Sequence, residues 1–505
     1  MTETTTPDVA QRLSTGTSGL DGVLRGGITP ERLYLVEGTP GAGKTTLALK
    51  FLMEGRAAGS QGLYITLSET VNELTAVARS HDWTLDNIAL FEMVAEDEFS
   101  PDHEQSLLHP SEVELGETVR GIIDLVEKTN PDRVVLDSLS ELRLLAQNPL
   151  RYRRQILALK HFFARRKCTV LMLDDRTAEP GDLQLHSIAH GVISLEHLAN
   201  DFGSERRRLR VIKMRGLKYH GGYHDFTIER GGICLYPRLI AAQHHRTHST
   251  DPVTTGLKEL DALLGDGLFP GTNALMAGPA GVGKTTTAVR CMIAALKRGQ
   301  NAAYFLFDER LSTLMIRSKA LGMDLQPFID NGTLQIRQVD PAELSPGEFA
   351  HAVRSAVEDS DASVVVIDSL NAYLHAMPSD NFLVLQMHEL LSYLAQQGVV
   401  SIMVLGQHGV TGDLRSDIDI SYLADTVLMM RFFEAEGEIR KSISVIKTRT
   451  SDHERSIREF KIDQDGISIG EPLRGFSSIL SGSPVYNASK DHLMALRGDD
   501  KDGSK

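Results

Sequence analysis

One short motif occurs twice in this chain, and the surrounding sequence repeats with it. Gly38–Lys50 reads GTPGAGKTTLALK and Gly278–Arg290 reads GPAGVGKTTTAVR; both fit G-x-x-x-x-G-K-S/T. Such a loop works only between a strand and a helix. Its glycines permit a tight turn, so that successive N–H groups and the helix N-terminus converge on phosphate oxygens. The flanks supply both elements: strand-like RLYLVE and NALMAG precede the loops, and helix-like LALKFLMEGRAA and TAVRCMIAALKRG come after them. A glycine-rich turn that merely happens to precede a helix does not account for this context twice.

Lys44 and Lys284 stand 240 residues apart, and the same shift lays Thr15, Gly16, Leu20 and Asp21 on Thr255, Gly256, Leu260 and Asp261, Tyr64 on Tyr304 and Glu69 on Glu309. This is a duplicated domain. After the cradle the register drifts, as surface insertions allow, so that Asp137 of RVVLDS faces Asp368 of VVVIDS at an offset of 231. Each half alternates short β-branched runs with helical patterns. That predicts an α/β fold of two tandem P-loop domains, each a mostly parallel sheet flanked by helices. GVISLEH with RRLRVIKMR, and TVLMMRFF with KSISVIKTRT, predict a closing hairpin in each half. The pattern divides the chain into a disordered 1–11, a first domain 12–240, a linker 241–252, a second domain 253–485 and a flexible tail 486–505. The stretch Pro237–Pro252, with its three histidines, reads as a solvated tether rather than a metal site, because Asp251 is its sole acidic residue and no Cys accompanies them.

Length and composition fit this plan: 505 residues, 41% hydrophobic and 24% charged, a globular profile with room for two or three domains. Three widely spaced cysteines form neither a disulfide framework nor a zinc pattern, which points to a cytoplasmic setting. No long apolar run suggests a membrane span or export signal. A net charge of −14 disfavours broad binding to nucleic acid. The local basic runs RYRR at Arg151 and SERRRLR at Ser204 read as solvated faces or ion-pair partners.

The motif assigns the cofactors ATP and Mg²⁺. Gly38, Gly41, Ala42 and Gly43, and in the repeat Gly278, Gly281, Val282 and Gly283, form the cradles. Lys44 and Lys284 reach the β/γ-phosphates, Thr45 and Thr285 hold the metal, and Thr46 and Thr286 continue the helix. Asp137 and Asp368, each ending an apolar strand, suit the metal-fixing carboxylate; helix capping is the plainer alternative. Glu69 in ITLSET, and Asp308 with Glu309 in FLFDER, stand where a carboxylate can orient or deprotonate a nucleophile, or else cap the next helix.

The tandem loops, the TG…LD segments, the acidic strand ends and the sequences VIKMRG and VIKTRTSDHE together resemble the KaiC family, the circadian-clock ATPases and autokinases, from about Ser14 to about Pro484. The resemblance implies two RecA-like domains in a hexameric double ring. It also implies a first ring that hydrolyses ATP slowly, a second that phosphorylates the protein itself, and signalling to protein partners of the KaiB kind. Family members carry two adjacent glutamates at the acidic strand end; here the second half has Asp308–Glu309, but the first has Ser68–Glu69. Residues matching those that reach a neighbour's ATP are Lys213 and Arg215, and Lys447, Arg449 and His453. Tyr219, with His220 beside it, replaces the family histidine of the first half. In DISYLADT, Ser421 matches a phosphoacceptor serine and Tyr422 replaces a threonine. The short polar tail puts an activating partner of the KaiA kind in doubt. Two rival readings stay open. A DNA motor would need a basic or aromatic ring-lining loop, and GVTGDLRSDIDIS has one Arg, three Asp and no aromatic residue. A scaffold that uses ATP only as glue would release no phosphate.

Overall fold

The fold is that of a computed structural model, which describes residues 12–93, 110–176, 184–199, 203–375, 380–407, 421–464, 466–481 and 485–486. The 1–11 segment, most of the loop GVTGDLRSDIDIS and the tail beyond 486 lie outside them. The chain divides into two compact units, Met1–Arg238 and Leu239–Lys505.

In the first unit the strands are β1 Leu33–Gly38, β2 Gly62–Thr66, β3 Ile88–Glu92, β4 Arg133–Asp137, β5 Thr169–Asp174, β6 Gly191–Leu198, β7 Arg206–Met214, β8 His224–Glu229 and β9 Gly232–Tyr236. They form one sheet in the order β3-β2-β4-β5-β1-β6-β7-β8-β9. From β3 to β6 all pairs are parallel; from β6 onward they are antiparallel. Strands β1, β2, β4 and β5 are buried throughout, as parallel strands between two helical layers must be. Successive side chains alternate between the layers: Tyr34 and Val36 enter one apolar cluster, Leu33 and Leu35 the other.

The second unit repeats the plan with β10 Asn273–Gly278, β11 Asn301–Leu306, β12 Leu334–Gln338, β13 Ala362–Asp368, β14 Val400–Gly406, β15 Thr426–Ala435, β16 Glu438–Lys447, β17 Arg458–Asp463 and β18 Gly466–Pro472, in the order β12-β11-β13-β14-β10-β15-β16-β17-β18. The duplicated α/β architecture is thus as the sequence predicts, and the hairpins are β6–β7 and β15–β16. Beyond them each sheet gains two strands that the sequence pattern does not announce. These edge strands are short and half-buried; in β8 only His224 and Phe226 are fully covered, so their apolar alternation is weak.

The repeated TG…LD segment proves to be a local clasp. Asp21 accepts hydrogen bonds from the Ser14 hydroxyl (2.7 Å), the Thr15 amide (2.9 Å) and the Thr15 hydroxyl (2.7 Å). Asp261 does the same for Thr254 and, at 2.7 Å twice, for Thr255.

The stretch read as a tether is anchored at its start. Leu239 and Ala241 join the core of the second unit. The His244 ring packs edge-on against Tyr393 with centroids 5.2 Å apart, and its carbonyl accepts from the Gln397 amide (3.1 Å). The Arg246 amide donates to the Gln396 carbonyl (3.1 Å), and His248 fills the space beside Gly271 and Gly398. Leu239 and Ala241 anchor the start of the segment and the contacts of His244 and Arg246 hold it along the helix Asp380–Gln396, while Ala242, Gln243 and residues 245–247 and 249–252 are exposed. Among the described residues, no helix is long and apolar enough to cross a membrane.

Candidate active site: two nucleotide cradles

Each cradle lies at the C-terminal end of its sheet, where the strand next to the loop helix runs out. β1 ends at Gly38, and the helix Lys44–Ala57 starts immediately after Gly43; β10 ends at Gly278, and the helix Lys284–Lys297 starts after Gly283. Gly41, Gly43, Gly281 and Gly283 all have positive φ (76°, 97°, 77° and 123°), a region that other residues enter only at a cost. Close approach adds a second reason for glycine. A Cβ on Gly43 would fall 2.8 Å from Ile228 of β8, and one on Gly283 2.4 Å from Ile462 of β17. The extra strands therefore close one side of each cradle. Ala42 and Val282 point into the cores, so they contribute backbone rather than side chain, and Thr46 and Thr286 are buried in the first helical turn. Loops of this shape, open at a helix N-terminus and lined by glycine, fit a nucleotide's phosphates.

In the first cradle, the ammonium group of Lys44 donates to the carbonyls of Gly38 (3.0 Å) and Thr39 (3.1 Å) and pairs with Asp175 Oδ1 at 2.8 Å. Asp137, at the end of β4, accepts from the Tyr64 hydroxyl (2.6 Å). Burial raises the pKa of Asp137, with Asp175 adding to the rise and the Tyr64 bond opposing it. Glu69 comes just after β2, its amide held by Thr66 Oγ1 at 2.9 Å. Its Oε2 is buried without a hydrogen-bond partner among the described residues. Burial, then Asp137, Glu73 and Asp175, push the Glu69 carboxyl above its usual pKa, while Lys44 pulls it down. A carboxylate so placed is a good proton acceptor.

In the second cradle, Lys284 donates to the carbonyls of Gly278 and Pro279, both at 2.8 Å. No carboxylate stands within ion-pair distance among the described residues, and burial lowers its pKa to about 8. Asp368 accepts from Tyr304 (2.7 Å), and its pKa is raised by burial while bonds from Tyr304 and Thr285 pull it back. The Thr285–Asp368 contact brings together the two residues expected to hold Mg²⁺. The acidic pair splits: Asp308 accepts from Ser369, whereas Glu309 is gripped by both arms of Arg317 at 2.9 Å.

The remaining candidates stand away from the cradle of their own unit. Lys213 pairs with Val192 near the start of β6, and Lys447 with Val427 near the start of β15. Both starts align with the beginnings of β1 and β10, whereas the cradles lie at the far ends of those strands. There Lys213 donates to the carbonyls of His186 and Ala189, and Arg215 to that of Ser187 (2.8 Å). Lys447 donates to the Ala424 carbonyl (2.8 Å), and Arg449 to the carbonyl of Tyr422 (3.2 Å) and to Asp425 (3.4 Å). His453 is half-buried in the loop after β16. Ser421 opens a single 3₁₀ turn, Ser421–Leu423; its side chain lies outside the described set, and Tyr422 is 52% exposed. Tyr219 packs with the first core and donates to the Ile212 carbonyl at 3.2 Å.

Sequence reasoning misses Asp175, Arg317 and the tyrosine–aspartate bonds. The doubled acid in TVLMLDD is a visible signal for the first, but only the sheet order, which sets β5 beside β1, gives it a meaning.

A sequence model of the family described as "ATPase: KaiC" matches residues 13–240 and again 253–474. Circadian clock protein KaiC3 of Synechocystis sp. is 27% identical over 493 residues, covering 96% of each chain. The circadian clock oscillator protein KaiC of Synechococcus elongatus is 28% identical over 488 residues, covering 94% of this chain and 92% of its own. That of a Nostoc species is 27% identical over 521 residues, covering 99% and 98%. With the family's domain present once in each half, around cradles built alike, this chain belongs to the KaiC family of ATPases.

Proposed function

We propose that the chain binds Mg·ATP at both cradles, hydrolyses it, and phosphorylates itself near Ser421 within a homohexameric double ring that signals to protein partners of the KaiB kind. The observation that carries this reading is the separation within each unit. The basic strand ends Lys213–Arg215 and Lys447–Arg449, and the Ser421–Tyr422 turn, lie at the end of the sheet opposite their own cradle. A cradle that is to receive their charge, or to phosphorylate that turn, takes them from a second copy of the chain, as heterologous ring packing allows. When bound, Mg·ATP supplies the transferable phosphoryl group. Lys44 and Lys284 bind its phosphates, Thr45 with Asp137 and Thr285 with Asp368 hold the metal, and the incoming Lys and Arg offset charge on the γ-phosphate. Glu69 accepts the proton of an attacking water in the first ring. Asp308, with Glu309, orients the hydroxyl of Ser421 in the second; the exposed Tyr422 is the alternative acceptor.

Light scattering with and without Mg·ATP, together with phosphosite mapping by mass spectrometry, tests this. Expected are hexamers only with nucleotide and a phosphate on Ser421. Lys44→Ala should weaken assembly, and Lys284→Ala should leave rings that incorporate no phosphate. The same monomer in both conditions sinks the ring. Binding without phosphate release favours the scaffold, and stimulation of hydrolysis by single-stranded DNA favours the motor.

A further inference from the structure

The two P-loop lysines differ in how completely the protein already satisfies them. An ammonium group has three N–H donors. In the first cradle all three have acceptors: the Gly38 and Thr39 carbonyls and the Asp175 carboxylate. In the second, Lys284 has two carbonyls, and one N–H is left without a protein acceptor among the described residues. The sheet register identifies the cause. β5 runs beside β1 with Asp174 opposite Glu37, so Asp175 comes next to the last residue of β1. β14 runs beside β10 with Leu405 opposite Ala277 and Gly406 opposite Gly278. The position of Asp175 is therefore that of Gly406, which has no side chain. A shared contact supports the equivalence: the Asp175 amide donates to Ser140 Oγ (3.2 Å) and the Gly406 amide to Asn371 Oδ1 (2.6 Å).

We propose that Asp175 is a positioning residue that latches the first cradle: it holds Lys44 while the cradle is empty and must yield it when a nucleotide's phosphates enter, whereas the second cradle, with Gly406 there, has no latch. The inference rests on the reading of the cradles as ATP sites. Phosphate and carboxylate compete for the same donor, and the third N–H of Lys44 can donate to only one of them. While it holds Lys44, the Asp175 carboxylate is close enough to Glu69 and Asp137 to act on both electrostatically, in the half of the chain whose acidic strand end has Ser68 in place of a second acid. Asp175 is a third exposed, so solvent moderates the pair, and its effect on nucleotide affinity falls at roughly 3- to 10-fold.

The test reads affinity rather than turnover, by titrating a fluorescent ATP analogue with Mg²⁺ into the full-length chain, one cradle at a time. In a Lys284→Ala chain, Asp175→Asn should tighten binding at the first cradle by that factor, a gain that structural damage does not produce, and Asp175→Glu should restore weaker binding. Adding Lys44→Ala should erase the effect of Asp175→Asn. In a Lys44→Ala chain, Gly406→Asp should weaken binding at the second cradle; a Cβ at Gly406 meets nothing closer than Asn371 Oδ1 at 3.4 Å, so the residue can be accommodated. Affinity at the first cradle that is indifferent to Asp175→Asn, or a gain that persists without Lys44, overturns the latch. Absence of saturable binding in the parent chain would instead remove the ATP-site reading itself.

Discussion

Lys44 meets three acceptors within 3.1 Å, one of them a carboxylate, while Lys284 meets two carbonyls and carries its charge, buried, without an ion-pair partner among the described residues. The acids at the ends of β2 and β11 differ in the opposite sense. Glu69 keeps a buried, unpartnered oxygen, whereas Asp308 and Glu309 are engaged by Ser369 and Arg317. One cradle thus has a satisfied lysine and a free base; the other has an unsatisfied lysine and occupied acids. Duplication preserved the strand, loop, helix and tyrosine–aspartate pair, and divergence acted on the charges around them. A scaffold for holding phosphate can be copied unchanged, while the fate of the bound phosphate depends on a few side chains at strand ends.

The sharpest way to break this comparison is to remove the free base. Glu69→Gln should lower phosphate release by the first cradle about 10²–10⁴-fold, the usual worth of general-base help, measured in a Lys284→Ala chain. Because burial raises the pKa of Glu69, the rate should rise with pH through a range above that of an ordinary carboxylate, and this limb should vanish in the glutamine variant. A parental rate would remove Glu69 from the mechanism.

Next in size are the acids of the second cradle. The double variant Asp308→Asn, Glu309→Gln should assemble but lose most labelling of Ser421, with first-cradle hydrolysis intact. Between the single variants, Asp308→Asn should cost more, because Asp308 is tied to Ser369 beside Asp368 while Glu309 is already committed to Arg317. Labelling rates by mass spectrometry decide the order; a larger loss from Glu309→Gln would mean that Arg317 releases it during the reaction.

A stability measurement addresses the lysines. A pKa lowered from 10.5 to about 8 means that the folded state resists the charge on Lys284, at a cost of roughly 3 kcal/mol. The unfolded chain binds the proton more tightly, so stability increases as pH rises from about 8 to 10.5, and below 8 the full cost is present. Lys284→Met should therefore raise the thermal midpoint of the nucleotide-free chain at pH 7, and its advantage should shrink by pH 9.5. An equal gain from Lys44→Met would erase the contrast between the cradles.

The smallest effect should be the symmetric one. Tyr64→Phe and Tyr304→Phe each remove one bond to a buried aspartate (2.6 and 2.7 Å), worth about 1.5–3 kcal/mol for a bond to a charged acceptor. Denaturant unfolding should show similar losses; a large inequality would mean that divergence has reached the shared scaffold.

The duplication, the two cradles, the strands that carry them and the correspondence of Asp137 with Asp368 are legible from residue order alone, because all of these are local: a glycine spacing, an apolar run, an acid at its end. The same order also marks Glu69 as alone where the second half has a pair. Relations across the sheet emerge only once the chain is folded. The order β5-β1 and β14-β10 brings Asp175 to Lys44 and leaves Gly406 at Lys284, although more than 120 residues separate the members of each pair. Ile228 and Ile462 close the cradles from strands too weakly patterned to be read, and the segment after Arg238 is anchored at its start because Leu239 and Ala241 find apolar partners in the core of the second unit. Motif spacing reports what a loop can hold. Which charges face that loop depends on neighbours in the sheet, and neighbours in a crossover topology are remote in sequence.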